Sequence, residues 1–232
     1  MTSAQQSSAG KQSPAESGIT DVYFDFLCPY AWRGLELADV LRREHGMKFR
    51  LRHFSLVQGN HTENPDRKHP TWWLDSQVAG QGGDAQAGSL NAFLAGQAAL
   101  RQPEDAAWAF TLALFRARHQ PSDGQVIAGY NGADFKNDSV ILAAADGPLD
   151  LAQFAADLED QDGLRSALHA DLQASAGLGV FGTPTFHLPD GNIAYFRFAN
   201  LVTEPQAALN LWNLYTQVLQ DGARIETIKR AK

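Results

Sequence analysis

The chain has 232 residues, of which 44% are hydrophobic and 19% are charged, and this composition suits one or two folded domains with a buried core. Its 19 basic and 26 acidic residues give a formal net charge of -7, which excludes the basic surface typical of nucleic-acid-binding proteins. A single cysteine, Cys28, excludes an intrachain disulfide and a zinc site built from two or more thiolates. We therefore expect neither a metal cofactor nor a nucleic-acid partner.

The first eighteen residues predict a disordered tail. Eleven of them are Ser, Gln or Ala, and no apolar run precedes Ile19, so the hydrophobic segment of a signal peptide is missing. The sequence also contains no run of about 18 apolar residues, so we predict no membrane span. We expect a cytoplasmic protein.

Residues 21–54 predict a βαβ unit. The segment 21–27, DVYFDFL, has β-branched and aromatic residues on both faces, as in a strand covered by helices on both sides. A helical pattern follows Cys28, with Pro29 at its first position and Gly46 at its end. A second strand is predicted at 48–54, and a right-handed return would pair it with the first.

The middle of the chain predicts a helical insertion at 57–177. Two stretches rich in Pro or Gly, 57–70 and 80–89, are typical of loops or flexible joints. Helices are predicted from Pro103 to just before Pro121, and over 149–158 and 161–177.

The C-terminal part predicts a β-hairpin and a helix. GVFGTPTFHL, starting at Gly179, and NIAYFRF are separated by turn residues, which is typical of two strands joined by a tight turn. Pro205 begins a last helix that Gly222 ends, and a basic tail follows at 223–232.

Three motifs in this order resemble the DsbA-like branch of the thioredoxin superfamily: FDFLCPYAW at 24–32, HFSLVQGN at 53–60 and GVFGTPTF at 179–186. That branch includes kappa-class glutathione transferases, hydroxychromene-carboxylate isomerases and mycothiol-dependent nitroreductases. The resemblance implies an α/β, thioredoxin-like fold in which 19–56 and 178–222 form one domain around the helical insertion. It also implies a cis peptide before Pro184, facing Cys28.

Cys28 is the candidate catalytic residue. The free amides of Tyr30 and Ala31 and the dipole of the predicted helix stabilise an anion at this position, which predicts a thiol pKa below about 8.5. The alternative is a buried cysteine that only packs. Its position before Pro29 at a strand-to-helix junction, with Thr183 and Pro184 downstream, favours a functional thiol.

Ala31 occupies the position of the resolving cysteine in a CxxC motif. A mixed disulfide at Cys28 must then be resolved by an external thiol, because exchange needs a second thiolate. The co-substrate is predicted to be a low-molecular-weight thiol, and glutathione, mycothiol and bacillithiol all stay open. Kappa-class enzymes have serine at the Cys28 position and a Gly-Ser-Asp-Arg stretch where this chain has Phe198, Ala199 and Asn200.

Further site residues are predicted around this thiol. Asp25 is a candidate proton shuttle, with capping of a neighbouring loop amide as the alternative. Tyr30 and Trp32 flank the thiol, where they could line the cleft or simply pack. By resemblance, Ser55 and Asn60 line the cleft as well. The predicted thiol- or substrate-binding set is Pro29, Tyr30, Trp32, Ser55, Asn60, Thr183 and Pro184.

Three functions compete on these residues. The first is a DsbA-family oxidoreductase that uses Cys28 as its redox thiol. The second is a kappa-like transferase or isomerase in which Cys28 positions a thiol cofactor and is not oxidised. The third is a non-catalytic module that binds thiols or peptides. The expected partners are a small-molecule thiol and a disulfide or electrophile, with a second copy of the chain as a further candidate.

Overall fold

A computed structural model describes residues 18–120, 132–220 and 225. A four-stranded mixed sheet lies at its centre, with the strand order β2-β1-β3-β4. β1 runs parallel to β2 and antiparallel to β3, and β3 runs antiparallel to β4. The strand bounds are Ile19–Phe24 for β1, Lys48–His53 for β2, Thr185–His187 for β3 and Ile193–Tyr195 for β4.

Helices cover this sheet, and most of them lie between β2 and β3 in the chain. In chain order they are α1 (Pro29–His45), α2 (Leu56–Gly59), α3 (Asp84–Ala99), α4 (Glu104–His119), α5 (Asp138–Ala145), α6 (Leu151–Glu159), α7 (Gln161–Gly177) and α8 (Pro205–Leu219). A short 3-10 helix, Leu74–Ser76, precedes α3.

Local signals account for the bounds of β1 and α1. β1 ends at Phe24, earlier than predicted, because the chain turns there. The Asp25 carboxylate stabilises this turn by accepting a hydrogen bond from the Leu27 amide at 2.7 Å. α1 begins at Pro29, whose missing amide donor is no loss at a helix start. It ends where Gly46 adopts the left-handed conformation, with φ 64°.

Tertiary packing overrides local composition in two places. The prediction of a loop over 80–89 was wrong from Asp84 onward, because α3 begins there and its small residues pack against the core. A Cβ atom at Gly88 would lie 3.6 Å from the Phe135 side chain. The strand predicted from Gly179 pairs only over β3, since Phe181 is exposed and Pro184 interrupts the segment.

One continuous hydrophobic core joins the sheet to the inserted helices. The ring of Phe26, just after β1, lies 5.1 Å from Phe115 of α4 and 5.9 Å from Phe93 of α3, between ring centroids. In the same core, Phe186 of β3 packs against Trp212 and Tyr215 of α8 at 5.1 and 5.6 Å between ring centroids. Packing against the helical insertion therefore fixes the turn after β1, and packing against α8 fixes β3.

The two predicted tails, 1–18 and 223–232, lie outside the described residues except for Gly18 and Ile225, and so does the helix end predicted at Gly222. Within the described ranges, no helix combines the length and apolar character that a membrane crossing needs.

Substitution of Gly34 by alanine should destabilise the protein. A Cβ at this position of α1 would lie 2.5 Å from Pro184 Cγ and 2.8 Å from its Cβ, so the helix or the Pro184 loop must shift. We expect a loss of about 1–3 kcal/mol in the free energy of unfolding, measured by urea denaturation. Gly177→Ala, at the end of α7, is the matched control because nothing lies within 4 Å of the methyl group that alanine would add there. Equal stability of the two variants would contradict this packing.

Candidate active site

The turn between β1 and α1 positions Cys28. Its amide donates to Asp25 O at 3.0 Å, and its carbonyl accepts the Trp32 amide at 3.2 Å, so the residue is fixed at the N-cap of α1. The side chain makes no capping bond, and it is only 7% exposed. The backbone of Cys28 is therefore fixed at the start of α1, whereas its thiol takes no part in capping the helix.

The thiol faces the segment before β3. Cys28 Sγ donates to Thr183 O at 3.4 Å, across 155 positions of the chain. The Thr183–Pro184 peptide is cis. Thr183 is 1% exposed, and its hydroxyl has no hydrogen-bond partner within the described residues. The structure thus brings together Cys28, Thr183 and Pro184, which the sequence analysis grouped from separate motifs.

Burial controls the ionisation of this thiol. It raises the pKa of Cys28 above its usual value, while the Thr183 side chain and the backbone amides of Ala31 and Tyr30 act in the opposite direction. The negative charge of Asp25 also raises the Cys28 pKa. The predicted lowering of the pKa was wrong, because the helix N-terminus contributes less than the loss of water around the sulfur.

Asp25 is completely buried beneath the thiol-bearing turn. Its carboxylate accepts the amides of Leu27 at 2.7 Å and Leu56 at 2.6 Å, so it joins this turn to the loop after β2. Burial raises the pKa of Asp25 to about 6, and the two amides limit the rise. The residue therefore caps loop amides and also titrates close to neutral pH.

Tyr30 and Trp32 lie in different environments. Tyr30 is half-buried, and the guanidinium carbons of Arg33 and Arg197 lie 5.4 and 4.6 Å from its ring centroid. Trp32 is buried, donates its indole N–H to Glu36 at 2.9 Å and stacks on His119. This placement favours packing as the role of Trp32, whereas Tyr30 keeps an accessible surface.

Ser55 and Asn60 occupy the loop that Asp25 anchors. The Ser55 hydroxyl is buried and caps α2 by accepting the Gln58 amide at 3.0 Å. Asn60 is exposed, and its Oδ1 accepts from Arg67 Nη2 at 2.9 Å. Arg67 in turn donates to Phe181 O at 3.2 Å, which links this loop to the segment before Thr183.

The arginines around the site were not predicted from the sequence. Arg197 follows β4 and donates to the Tyr195 hydroxyl, while Arg33 donates to Phe198 O at 3.2 Å. No sequence motif marks these positions, and only the folded hairpin brings Arg197 over Tyr30.

No group of three or more metal-binding side chains occurs among the described residues. The ionisable groups at this site are a thiol, a carboxyl group and guanidinium groups.

Comparison of the sequence with models of protein families found a match. A family model described as "DSBA-like thioredoxin domain" matches residues 19–204. No curated protein sequence matches the chain significantly.

Similar solved structures share the fold at low sequence identity. A 2-hydroxychromene-2-carboxylate isomerase aligns with a TM-score of 0.54 at 16% identity, covering 90% of this chain and 100% of the other. The cytosolic disulfide reductase DsbM from Pseudomonas aeruginosa, solved with GSH, aligns with a TM-score of 0.51 at 16% identity, covering 86% and 100%. A probable DsbA oxidoreductase from Streptomyces coelicolor gives 0.50 at 17% identity, covering 92% and 93%. These similarities establish an α/β, thioredoxin-like fold with a helical insertion.

The pH dependence of alkylation should show that burial and Asp25 hold the thiol protonated. We expect the rate of iodoacetamide modification to rise with a midpoint above the value of about 8.5 for a free cysteine. Asp25→Asn should move this midpoint to lower pH, because it removes a negative charge that disfavours the thiolate. Intact-protein mass spectrometry follows the reaction unambiguously at a lone cysteine.

Glu44→Gln is the matched control for this measurement, because it removes one negative charge at the exposed far end of α1. Its midpoint should equal that of the wild type. A wild-type midpoint well below that of a free cysteine, or no difference between the two variants, would contradict the description of the site.

Proposed function

The chain belongs to the DSBA-like thioredoxin domain family, and from this membership we propose that it is a thiol-disulfide oxidoreductase that works through Cys28 alone. The observation that carries the proposal is the position of the lone cysteine. It lies at the N-terminus of α1, and its sulfur meets the carbonyl of Thr183 beside Pro184. Ala31 removes the second thiol of a dithiol mechanism, so an external thiol completes the cycle.

The proposed reaction reduces a disulfide RS–SR′ in two exchange steps. The Cys28 thiolate attacks the sulfur of SR′, the S–S bond breaks, and RS⁻ leaves and takes up a proton. A second molecule, R′SH, loses its proton and attacks the SR′ sulfur of the Cys28 mixed disulfide. The products are R′S–SR′ and the Cys28 thiolate, so in sum one R′SH is consumed, one RSH is released, and the disulfide bond passes from the substrate to the R′ pair.

Asp25 is the proposed proton acceptor for Cys28. With a pKa of about 6, its carboxyl group is mostly ionised at neutral pH. It is close enough for its charge to act on the thiol. Proton transfer to Asp25 would neutralise the charge that disfavours the thiolate, so loss of the proton and activation of the nucleophile would occur together.

The Thr183 backbone is the proposed binding edge for the substrate. Its carbonyl already accepts from the thiol, so an incoming sulfur must approach beside this group. Tyr30, half-buried next to Cys28, would supply an apolar surface for the leaving group. The co-substrate would be a low-molecular-weight thiol, and DsbM, a relative in fold, has been solved with GSH. We place this thiol-dependent activity in the cytoplasm, where low-molecular-weight thiols are kept reduced.

One observation favours a second function, a thiol transferase or isomerase. The buried thiol is held protonated and already donates a hydrogen bond, so it could donate instead to the sulfur of a bound cofactor without being oxidised. A serine would preserve that donor, whereas it would abolish nucleophilic exchange. The two functions therefore differ in what Cys28→Ser does.

The Cys28→Ser variant should lose thiol-disulfide exchange completely, because a hydroxyl forms no mixed disulfide. We propose to measure reduction of a mixed disulfide by glutathione, and separately by other cellular thiols, with coupled detection of the oxidised thiol. Turnover in Cys28→Ser that still requires the thiol would indicate the transferase or isomerase. Thiol binding by the wild type without any turnover would indicate a binding module.

Introducing the missing cysteine tests the monothiol step. After treatment with a disulfide, the wild type should keep the mixed disulfide until external thiol is added, whereas Ala31→Cys should release it internally. Ala38→Cys is the matched control, because this alanine is equally buried in α1 and lies about 10 Å further along the helix. Release from the wild type without external thiol would contradict the mechanism.

A further inference from the structure

Three arginines around the candidate active site form no ion pair with a carboxylate of the described chain: Arg33, Arg67 and Arg197. Away from the site, six arginines of the described residues do form such pairs: Arg42, Arg43, Arg50, Arg52, Arg101 and Arg116. The protein carries a net charge of -7, so carboxylates are plentiful. Arg165 of α7 also has no such pair among the described residues and donates to backbone carbonyls, but the other three arginines without a carboxylate lie around the candidate active site.

The fold holds two of these arginines over one aromatic ring. Arg33 comes from α1 and Arg197 from the segment after β4, yet both guanidinium carbons lie within 5.4 Å of the Tyr30 ring centroid. Arg33 is fixed by a hydrogen bond to Phe198 O, and Arg197 by one to the Tyr195 hydroxyl. Tyr30 is two residues from Cys28, so the ring that both cations contact belongs to the helix start that carries the thiol.

Most N–H donors of Arg197 remain available to a ligand. Its Nε binds the Tyr195 hydroxyl, and its residue is exposed. The hydrogen bond to Tyr195 is the main cause that raises the pKa of Arg197, and the Cys28 thiolate adds a smaller contribution, so the guanidinium lies within electrostatic range of the sulfur. Arg67 is the least available of the three, since it donates to Gly59 O, Phe181 O and Asn60 Oδ1.

Two neighbouring guanidinium groups without a counter-charge repel each other, and an anionic ligand would relieve this repulsion. The planar fork of arginine matches a carboxylate, to which it can donate two parallel hydrogen bonds. The Tyr30 ring that both cations contact stabilises them without neutralising their charge. This arrangement suits a ligand that carries a carboxylate close to its sulfur.

We infer that Arg33 and Arg197 bind a carboxylate of the thiol or disulfide that reacts at Cys28, and so select an anionic substrate over a neutral one. This inference rests on the proposed function. It favours thiols with free carboxylates, such as glutathione and bacillithiol, over mycothiol, which has no free carboxylate. Arg33 and Arg197 are then specificity residues, while Cys28 remains the nucleophile.

The test compares two aromatic disulfides that differ in charge. Dithiobis(nitrobenzoate) has a carboxylate on each ring, whereas dithiodipyridine has none, and attack by Cys28 on either releases a coloured thiolate or thione. We expect the ratio of the two second-order rate constants to fall about threefold or more in Arg197→Ala, and in the same direction in Arg33→Gln. Arg197→Lys should keep most of the ratio, and added salt should lower it in the wild type.

Lys48→Ala is the matched control for the change in net charge. Lys48 is exposed at the start of β2, opposite Ile19, which is the end of the sheet remote from Cys28. The ratio cancels any change in the thiol pKa, since the same thiolate attacks both probes. A ratio that stays unchanged in both arginine variants would overturn the inference and leave the proposed function intact. Absence of exchange with either disulfide in the wild type would overturn the proposed function itself.

Discussion

The contact between Cys28 Sγ and Thr183 O is the interaction on which the site depends. It joins the turn after β1 to the segment before β3, and these lie on opposite sides of a long helical insertion in the chain. The contact requires a close approach of α1 to Pro184, which Gly34 permits by having no side chain. It also needs β3 to be paired with β1, so that Thr183 arrives at the end of the strand that carries the thiol.

Burial of the sulfur in this contact disfavours the thiolate, and this determines how the site can react. A sulfur enclosed between a helix start and a carbonyl is shielded from water, and its anion loses more hydration than two helix amides restore. Asp25, buried beneath the same turn, adds to the penalty while ionised. The site is thus poised with its thiol neutral, and a reaction must remove the proton as it proceeds. Arg197 lies within electrostatic range of the sulfur, so its positive charge favours the thiolate.

The parts of the fold that follow local rules could be predicted from the sequence. The end of α1 at Gly46, the repeat of Leu164, Leu168 and Leu172 along α7, and the strands around Cys28 depend on caps and periodicity within short segments. α3 was missed at its start because glycines near Asp84 are typical of loops, whereas packing against the core decides the outcome.

The site was predictable only where a motif marked it. The grouping of Cys28 with Thr183 and Pro184 came from the order of three motifs, and the structure brings those residues together. The direction of the Cys28 pKa was not predictable, because burial of one sulfur depends on every element around it. Arg197 escaped attention for a similar reason, since its position over Tyr30 exists only after the hairpin folds.

The central claim is that Cys28 becomes covalently oxidised during turnover. Rapid quenching of the wild type during a single turnover with a mixed disulfide, followed by intact-protein mass spectrometry, measures the mixed disulfide at Cys28 directly. We predict that this species forms and decays at rates that account for steady-state turnover, and that its decay depends linearly on the concentration of added thiol. Turnover that proceeds while Cys28 stays a free thiol throughout would contradict the account.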